Sequence, residues 1–365
     1  MIDAAAAAAP AERRSASQEP PPGQPPRPPE PAPTRMAVRP PGPGFLAAPQ
    51  LLPRATGALW RRAAPWLRRA AASLPPLERA LVARRMRRRM RAGLGYEPDL
   101  RNPRTYNERL AWKIIHDRNP LIRLTTDKVN ARDFAAARAG AGVLVPLIGV
   151  YDRAADLPWE ALPDRFALKA SHGSGMNLLV RDKGAADRDA VLRQAEAWLG
   201  ESYYDRADEW GYRGIRPRLM VEELLLDEDG QVPEDLKFYV FGGRVELLRI
   251  HVGRFGAHRV NFYDRELRLL PFAQIYPTDP AYAPRPEVLG LIGTAERLGA
   301  DFDCARVDLY LVGGRVRFGE ITHYDGNACT PFMPPEYDRV LGDMWGEATN
   351  RAALRAAGTG SVGTL

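Results

Sequence analysis

ARVDLYLVGGRVRFGEIT, residues 305–322, is an apolar run, a Gly-Gly pair and a second alternating run. LKFYVFGGRVELLRI, residues 236–250, repeats the form. Hairpin turns need backbone of positive φ, which glycine adopts without steric cost, so each stretch reads as a β-hairpin. Two hairpins make a largely antiparallel sheet. Helical periods are interleaved with them, and the fold class is therefore α+β, not a doubly wound parallel sheet.

The first hairpin also carries chemistry. Asp308 (RVDLY) and Glu320 (FGEIT) lie on its two strands. A turn of odd length sets these carboxylates across from each other on one face, whereas a two-residue turn at Gly313-Gly314 puts them on opposite faces. Two carboxylates converging near phosphate oxygens are how a protein holds Mg²⁺. Each taken alone reads equally well as an edge-strand charge.

Working back along the chain, FALKASHGSGMN (residues 166–177) is a strand ending in Lys169, followed by a loop with two glycines. The pattern suggests a phosphate. Of the 52 basic residues only Lys113, Lys128, Lys169, Lys183 and Lys237 are lysines. Where arginine is the default cation, a retained lysine suits a compact point charge on a phosphate oxygen. Chance accounts for Lys113 and Lys183. Lys169 and Lys237 stand in apolar strands, where an unpaired ammonium is costly.

The remaining elements are coarser. Residues 102–119 read as a helix with Leu110, Ile114 and Trp112 on one face, ended by Pro120. Residues 125–140 read as a second helix. Strands are expected at 143–151, 165–170 and 218–225, and helices at Asp187–Leu199, Pro286–Leu298 and from Pro334.

Common nucleotide and hydrolase signatures are absent. No lysine follows a glycine, which excludes a P-loop, and there is no GxGxxG, HRD or DFG. HGSG has no accompanying GxSxG elbow. Cys304 and Cys329 are too few for a disulfide framework, and with His323 they match no zinc spacing. They read as reduced thiols of a cytoplasmic protein.

Charge divides the chain. Residues 1–100 carry 17 Arg against 7 acidic residues, so of the overall +7 the remainder carries −3. The high pI belongs to the N-terminal part, and no nucleic-acid partner is implied. Residues 1–53 are Ala- and Pro-rich, too poor in apolar surface to order themselves, and are expected to be a disordered tail. Met36 is an alternative start. Residues 54–95 read as a basic amphipathic helical segment broken at Pro65 and Pro75-Pro76. It suits an anionic membrane surface, a solvated arm, or a helix packed on the domain that follows. No run is long and apolar enough to span a bilayer, and no signal peptide is evident. The catalytic domain is expected at 96–350 (subdivided at 96–165, 166–225 and 226–350), with a flexible C-terminus at 351–365.

In order, the chain shows NPRTYNERL, DRNP, Asp127-Lys128, HGSGMN with a following DK, EELL, DLKFY, NFYD, RVDLY and GEIT. This ordered set, from about residue 96 to 345, resembles the TupA-like ATP-grasp family of polysaccharide biosynthesis. The resemblance implies an ATP-grasp fold, antiparallel sheets and flanking helices clasping a nucleotide, with ATP and Mg²⁺ as cofactors. It implies that Lys128 and Lys169 touch the α- and β-phosphates under the amides of His172, Gly173, Ser174 and Gly175. Glu222, Glu223 and Leu225 would hold adenine, and Asp235 the ribose. Lys237 would approach the γ-phosphate and Arg306 would steady developing charge. Asp308 and Glu320 would bind Mg²⁺, with Asn327 in place of the asparagine many ATP-grasp ligases have where Thr322 stands. His172 and His323 fit either substrate contact or an inert hydrogen bond.

The resemblance further implies an ATP-dependent carboxylate–amine ligase working through an acyl phosphate. Its partner would be a carboxylate-bearing sugar or amino-acid acceptor, with the enzyme cytoplasmic or peripheral at the inner membrane face. Two alternatives are a glycosyltransferase-type enzyme using a nucleotide sugar and a non-catalytic ATP-binding protein.

Overall fold

Gly242 and Gly243, and Gly313 and Gly314, all have positive φ, and each pair closes a two-residue turn. The computed structural model describes residues 75–254 and 256–359. Strands β5 (Asp235–Phe241) and β6 (Arg244–Val252) form one hairpin, β8 (Cys304–Val312) and β9 (Arg315–Thr322) the other. With β7 (Arg259–Asp264) they make a five-stranded sheet in the order β7-β6-β5-β8-β9. Strands β1 (Leu147–Tyr151), β2 (Phe166–Ala170), β3 (Asn177–Val180) and β4 (Leu219–Glu223) form a second sheet, ordered β1-β4-β2-β3. Every pairing is antiparallel, and the architecture is α+β.

One expectation about the hairpin is corrected. The turn has two residues, yet the carboxylates do not separate. Leu309 stands opposite Phe318, so an uninterrupted ladder would set Asp308 against Gly319; instead the register shifts and Asp308 faces Glu320. Gly319 is the extra residue of a β-bulge. A Cβ there would lie 3.0 Å from the Asp308 carbonyl oxygen and 3.0 Å from Tyr310 Cε2.

The two faces of the large sheet differ. Leu236, Phe238 and Val240 point to helix α7 (Ile292–Gly299), where a Cβ on Gly299 would lie 2.7 Å from Val240. On the other face Tyr239 and Phe241 pack on Tyr106 and Trp345. Further along that face stand Asp235 and Lys237, two polar residues on a strand buried throughout. Full burial of an apolar side chain stabilises by about 1.5–3 kcal/mol, so the aromatic end anchors the sheet and leaves the polar end for other work.

Helices frame that end. Helix α1 (Pro75–Leu94) starts at the prolines expected to break it, since proline is tolerated in a first helical turn. It buries Val82, Met86 and Met90. Helix α2 (Tyr106–His116) is capped by Thr105 and Glu108 in a reciprocal capping box. Leu110 and Ile114 are buried, but Trp112 is 41% exposed and does not share their face. Pro120 opens helix α3 (Pro120–Thr126).

The single helix expected over 125–140 is broken. The Asp127 carboxylate accepts from the Val129 amide at 3.0 Å and from the Asn130 side chain at 3.1 Å, and helix α4 (Asn130–Ala139) starts afresh. Helices α5 (Arg188–Leu199) and α6 (Tyr203–Ala207) lie between β3 and β4. Helix α8 (Glu336–Thr359) runs past residue 350.

Lys113 is not a chance lysine. It is 1% exposed and donates to Asp117 at 2.6 Å and to Asp303. The disordered tail expected at 1–53, the basic segment at 54–74 and the end of the flexible C-terminus at 360–365 lie outside the described residues. Among the described residues no helix is long and apolar enough to cross a membrane.

Candidate nucleotide and metal site

The polar end of the large sheet is a cross-strand row. Lys237 is in register with Asp308, and Asp308 with Glu320. Lys237 Nζ donates to Asp308 Oδ2 at 2.5 Å and lies 2.8 Å from Asp235 Oδ2. Arg306 donates through Nε to Asp308 Oδ1 at 2.7 Å and through Nη2 to Asp308 Oδ2 at 2.8 Å and Thr322 Oγ1 at 2.9 Å. Its Nη1 donates to Asp325. Burial opposes the Arg306 charge, but Asp308 and Asp325 outweigh it and hold the guanidinium firmly protonated. Burial likewise opposes the Glu320 carboxylate, while Lys128, Arg306 and Lys237 pull it down to about 2. Glu320 remains 35% exposed, open to a ligand.

These residues suit Mg²⁺. Asp308 and Glu320 are hard oxygen donors facing each other, with the Thr322 hydroxyl 3.1 Å from Glu320 Oε1. Among the described residues no group of three or more His, Cys, Asp and Glu is placed to hold a metal by itself. A site with two carboxylates, completed by phosphate and water, is the arrangement Mg²⁺ favours. Asn327 is engaged elsewhere. Its Nδ2 donates to Glu209 Oε1 at 2.8 Å and the Ala207 carbonyl at 2.9 Å, and its Oδ1 is buried without a partner. Burial pushes Glu209 up to about 8 despite the Asn327 hydrogen bond and nearby Arg89 and Arg206.

Lys128 joins this row to the glycine loop. It lies in the gap between α3 and α4, and its backbone amide donates to the Ser171 carbonyl at 3.1 Å. Its Nζ donates to the Gly173 carbonyl at 2.9 Å and lies 3.5 Å from Glu320 Oε2. Between β2 and β3 the loop is tight. Gly175 has φ 74°, and a Cβ on Gly173 would lie 2.4 Å from Met176 Sδ. Gly175 is exposed and Ser174 half-buried. The His172 ring turns inward, 2.9 Å from the Trp198 carbonyl, and burial lowers its pKa below the usual range.

Lys169 donates to Glu222 Oε2 at 2.6 Å, and Arg132 on α4 binds the other oxygen. The buried Glu222 carboxylate is thus committed, whereas Glu223 at the end of β4 is exposed and Leu225 half-buried. Asp235 is buried, not open toward a sugar. Its Oδ2 accepts from Lys237 and from Arg254 at 2.7 Å, and its Oδ1 has no partner. Burial opposes its charge, but Lys237 and Arg254 hold it at about 2. His323 Nε2 is 2.7 Å from the Thr125 hydroxyl, while its Nδ1 is buried without a partner.

Sequence reasoning missed Arg132, Arg249, Arg254 and Asp325. Arg249 interrupts the apolar LLRI strand, and the cost of an unpaired buried cation applies to it as to the lysines. It binds Asp325 at 3.1 Å and Gln274 at 3.0 Å, and the Tyr239 hydroxyl donates to Asp325 at 2.7 Å. Asp325 had no signal of its own. It precedes Gly326, Asn327 and Ala328, all of positive φ, which form a turn that no single residue announces.

Cations and carboxylates alternating beside a glycine loop can bind a polyanion together with a divalent cation. Among solved structures, the D-alanine–D-alanine ligase of Bacillus anthracis complexed with ATP is similar at 15% identity and TM-score 0.37, over 62% of this chain and 66% of that one. The L-amino acid ligase of Bacillus licheniformis is similar at 18% and 0.36, over 56% and 45%. The ATP-grasp ligase PsnB, complexed with a precursor variant, Mg and ADP, is similar at 15% and 0.35, over 63% and 60%. The chain thus spans about half to two thirds of the length of these structures. No curated protein matches it in sequence. The TupA-like ATP-grasp family matches residues 108–345, well over half of the chain, and the chain belongs to that family.

Proposed function

We propose that this protein is an ATP-dependent ligase that joins a carboxylate to an amine. The observation that carries the reading is the convergence of Lys128, Lys237 and Arg306 on the facing Asp308–Glu320 pair. Lys128 and Lys169 would bind the α- and β-phosphates, with the amides of residues 172–175 closing over them. Lys169 must then exchange Glu222 for phosphate, which leaves Glu222 paired to Arg132. Glu223 and Leu225 would meet adenine. Asp308 and Glu320 would hold Mg²⁺, which when bound neutralises phosphate oxygens. Lys237 would pass from Asp308 to the γ-phosphate, and Asp235 would keep Arg254 as its counter-ion.

In the first step a substrate carboxylate oxygen attacks the γ-phosphorus and ADP leaves. In the second an amine attacks the acyl carbon, phosphate leaves, and the nitrogen loses a proton to it. Arg306 would steady the charge that develops between the two. Positioning and charge neutralisation suffice, with no covalent protein intermediate. The family resemblance makes a sugar acid or amino acid of a surface polysaccharide the proposed acceptor, with the enzyme cytoplasmic. The exposed Arg79, Arg84 and Arg88 of α1 would lie against an anionic membrane face.

Calorimetric titration of the full chain with MgATP and with Mg²⁺ and UDP-sugars tests this. Lys169→Ala and Glu320→Gln should each weaken MgATP binding about tenfold to a hundredfold, the worth of one charge-assisted hydrogen bond. ADP should then appear in the presence of an acceptor carboxylate and amine. A preference for a UDP-sugar, or MgATP binding indifferent to both substitutions, would replace the ligase by a nucleotide-sugar transferase.

A further inference from the structure

Helix α1 precedes the family-matched residues 108–345, yet it is bonded to both halves of the site. Arg85 grips Asp208 through Nε, at 3.0 Å from Oδ1 and 2.9 Å from Oδ2. Arg89 reaches Asp208 Oδ2 at 2.6 Å and the Ala207 carbonyl at 2.9 Å. Asp208 is buried in left-handed backbone, φ 64°, where it ends α6. Glu78 near the start of α1 binds Tyr204 and, at 2.9 Å, Arg213. At the other end Gly93 touches the 325–328 turn region, where a Cβ would lie 2.8 Å from the Cys329 carbonyl oxygen.

The gripped residues lead to the site in two directions. From α6, Arg206 donates to the Ser174 carbonyl of the glycine loop at 3.4 Å, and the Tyr203 and Ser174 side chains interact. From the 207–209 turn, Asn327 takes its bonds to the Ala207 carbonyl and Glu209. Asn327 is two residues beyond Asp325, which binds Arg306 and Arg249. The Gly211 amide donates to the Tyr324 hydroxyl at 3.2 Å, a third tie between the same segments.

We propose that Arg85 and Arg89 are positioning residues which, through Asp208, hold the glycine loop against the Arg306–Asp325 end of the large sheet so that the triphosphate site is assembled. The inference rests on the ATP reading above. It makes α1 part of the nucleotide site and not merely a basic arm. The adenine end at Glu223 and Leu225 makes none of these contacts. Loss of the grip therefore acts on the phosphates and spares the nucleoside.

Affinities of the full chain for MgATP and for adenosine, which lacks all three phosphates, test it. Arg89→Ala leaves Asp208 its Arg85 partner, so the buried carboxylate stays satisfied and the fold is retained. It should weaken MgATP about fivefold to thirtyfold, the range of coupling through a bonded network, and leave adenosine within about twofold. Arg89→Lys should recover part of the loss, and Arg85→Ala with Arg89→Ala should deepen it. Equal weakening of MgATP and adenosine would reduce the grip to general stability, and unchanged MgATP affinity would remove its role altogether. If the unsubstituted chain binds neither MgATP nor adenosine, the ATP reading fails and the inference fails with it.

Discussion

Gly319 decides whether the carboxylate pair exists. Without its bulge Glu320 would point to the face opposite Asp308, and no metal could bridge them. Gly319→Ala adds a Cβ at 3.0 Å from a backbone oxygen that cannot turn aside. The substitution should destabilise by about 1–3 kcal/mol as local overpacking and displace Glu320 from Asp308. Thermal unfolding reads the first effect, and the Mg²⁺ concentration for half-maximal nucleotide binding, expected to rise, reads the second. An unchanged Mg²⁺ requirement would show that the pair does not depend on the bulge. At this scale the sequence was only half legible. Hydrophobic alternation announced Asp308, Glu320 and Lys237, because a charge in an apolar strand is conspicuous. The bulge was not announced, since a glycine in FGEIT reads equally as strand. Nor was the pairing of Glu222 with Lys169 and Arg132, which depends on strand order.

Among the elements, α1 is where the sequence left most open. Its arginines dominate its composition and allow a membrane-bound arm, a solvated arm or a helix packed on the domain that follows. Three positions on one stripe, Val82, Met86 and Met90, set it into the core, which is the last of these. Met86 is fully buried, and Met86→Ala should cost about 2–5 kcal/mol in urea unfolding at unchanged m-value. A cost below 0.5 kcal/mol would mean that α1 is not docked in solution. A chain begun at residue 96 should accordingly be poorly folded beside the full chain. The Gly-Gly hairpins were legible because turn chemistry is local. The break between α3 and α4 was not, because the Asp127 side chain competes with the helix for the Val129 amide and the apolar period runs on regardless. That break is what places Lys128 at the glycine loop.

For the molecule as a whole, the fold class followed from antiparallel hairpins among helices, while the docking of the two sheets rests on contacts distant in sequence. Those contacts bury titratable groups, and stability should therefore depend on pH. All five histidines have lowered pKa values. Burial is the first cause in each, and His172, His251 and His323 are the most buried. A group depressed below its ordinary 6.5 gives stability that is full above that pH and is lost as pH falls, because the unfolded chain takes up the proton. These groups therefore lose stability as pH falls from 7.5 to 5.5. Glu209 works the other way. Raised from 4.5 to about 8, it gives stability that is full below 4.5 and is lost as pH rises. Across the same window it removes about 2–3 kcal/mol at the alkaline end. The carboxylates Asp235, Glu320 and Asp325 are held low and titrate below this window. The two trends oppose each other, so the stability of the intact chain should change less from pH 5.5 to 7.5 than either alone would give. Glu209→Gln keeps an oxygen for the Asn327 amide and removes one trend, so its gain over this window should exceed that of the intact chain by about 2–3 kcal/mol. Urea unfolding of both chains at the two pH values measures the difference. Parallel slopes would mean that Glu209 is ionised in the folded protein, and the cluster it forms with Asn327 would then hold a buried charge and not a neutral carboxyl.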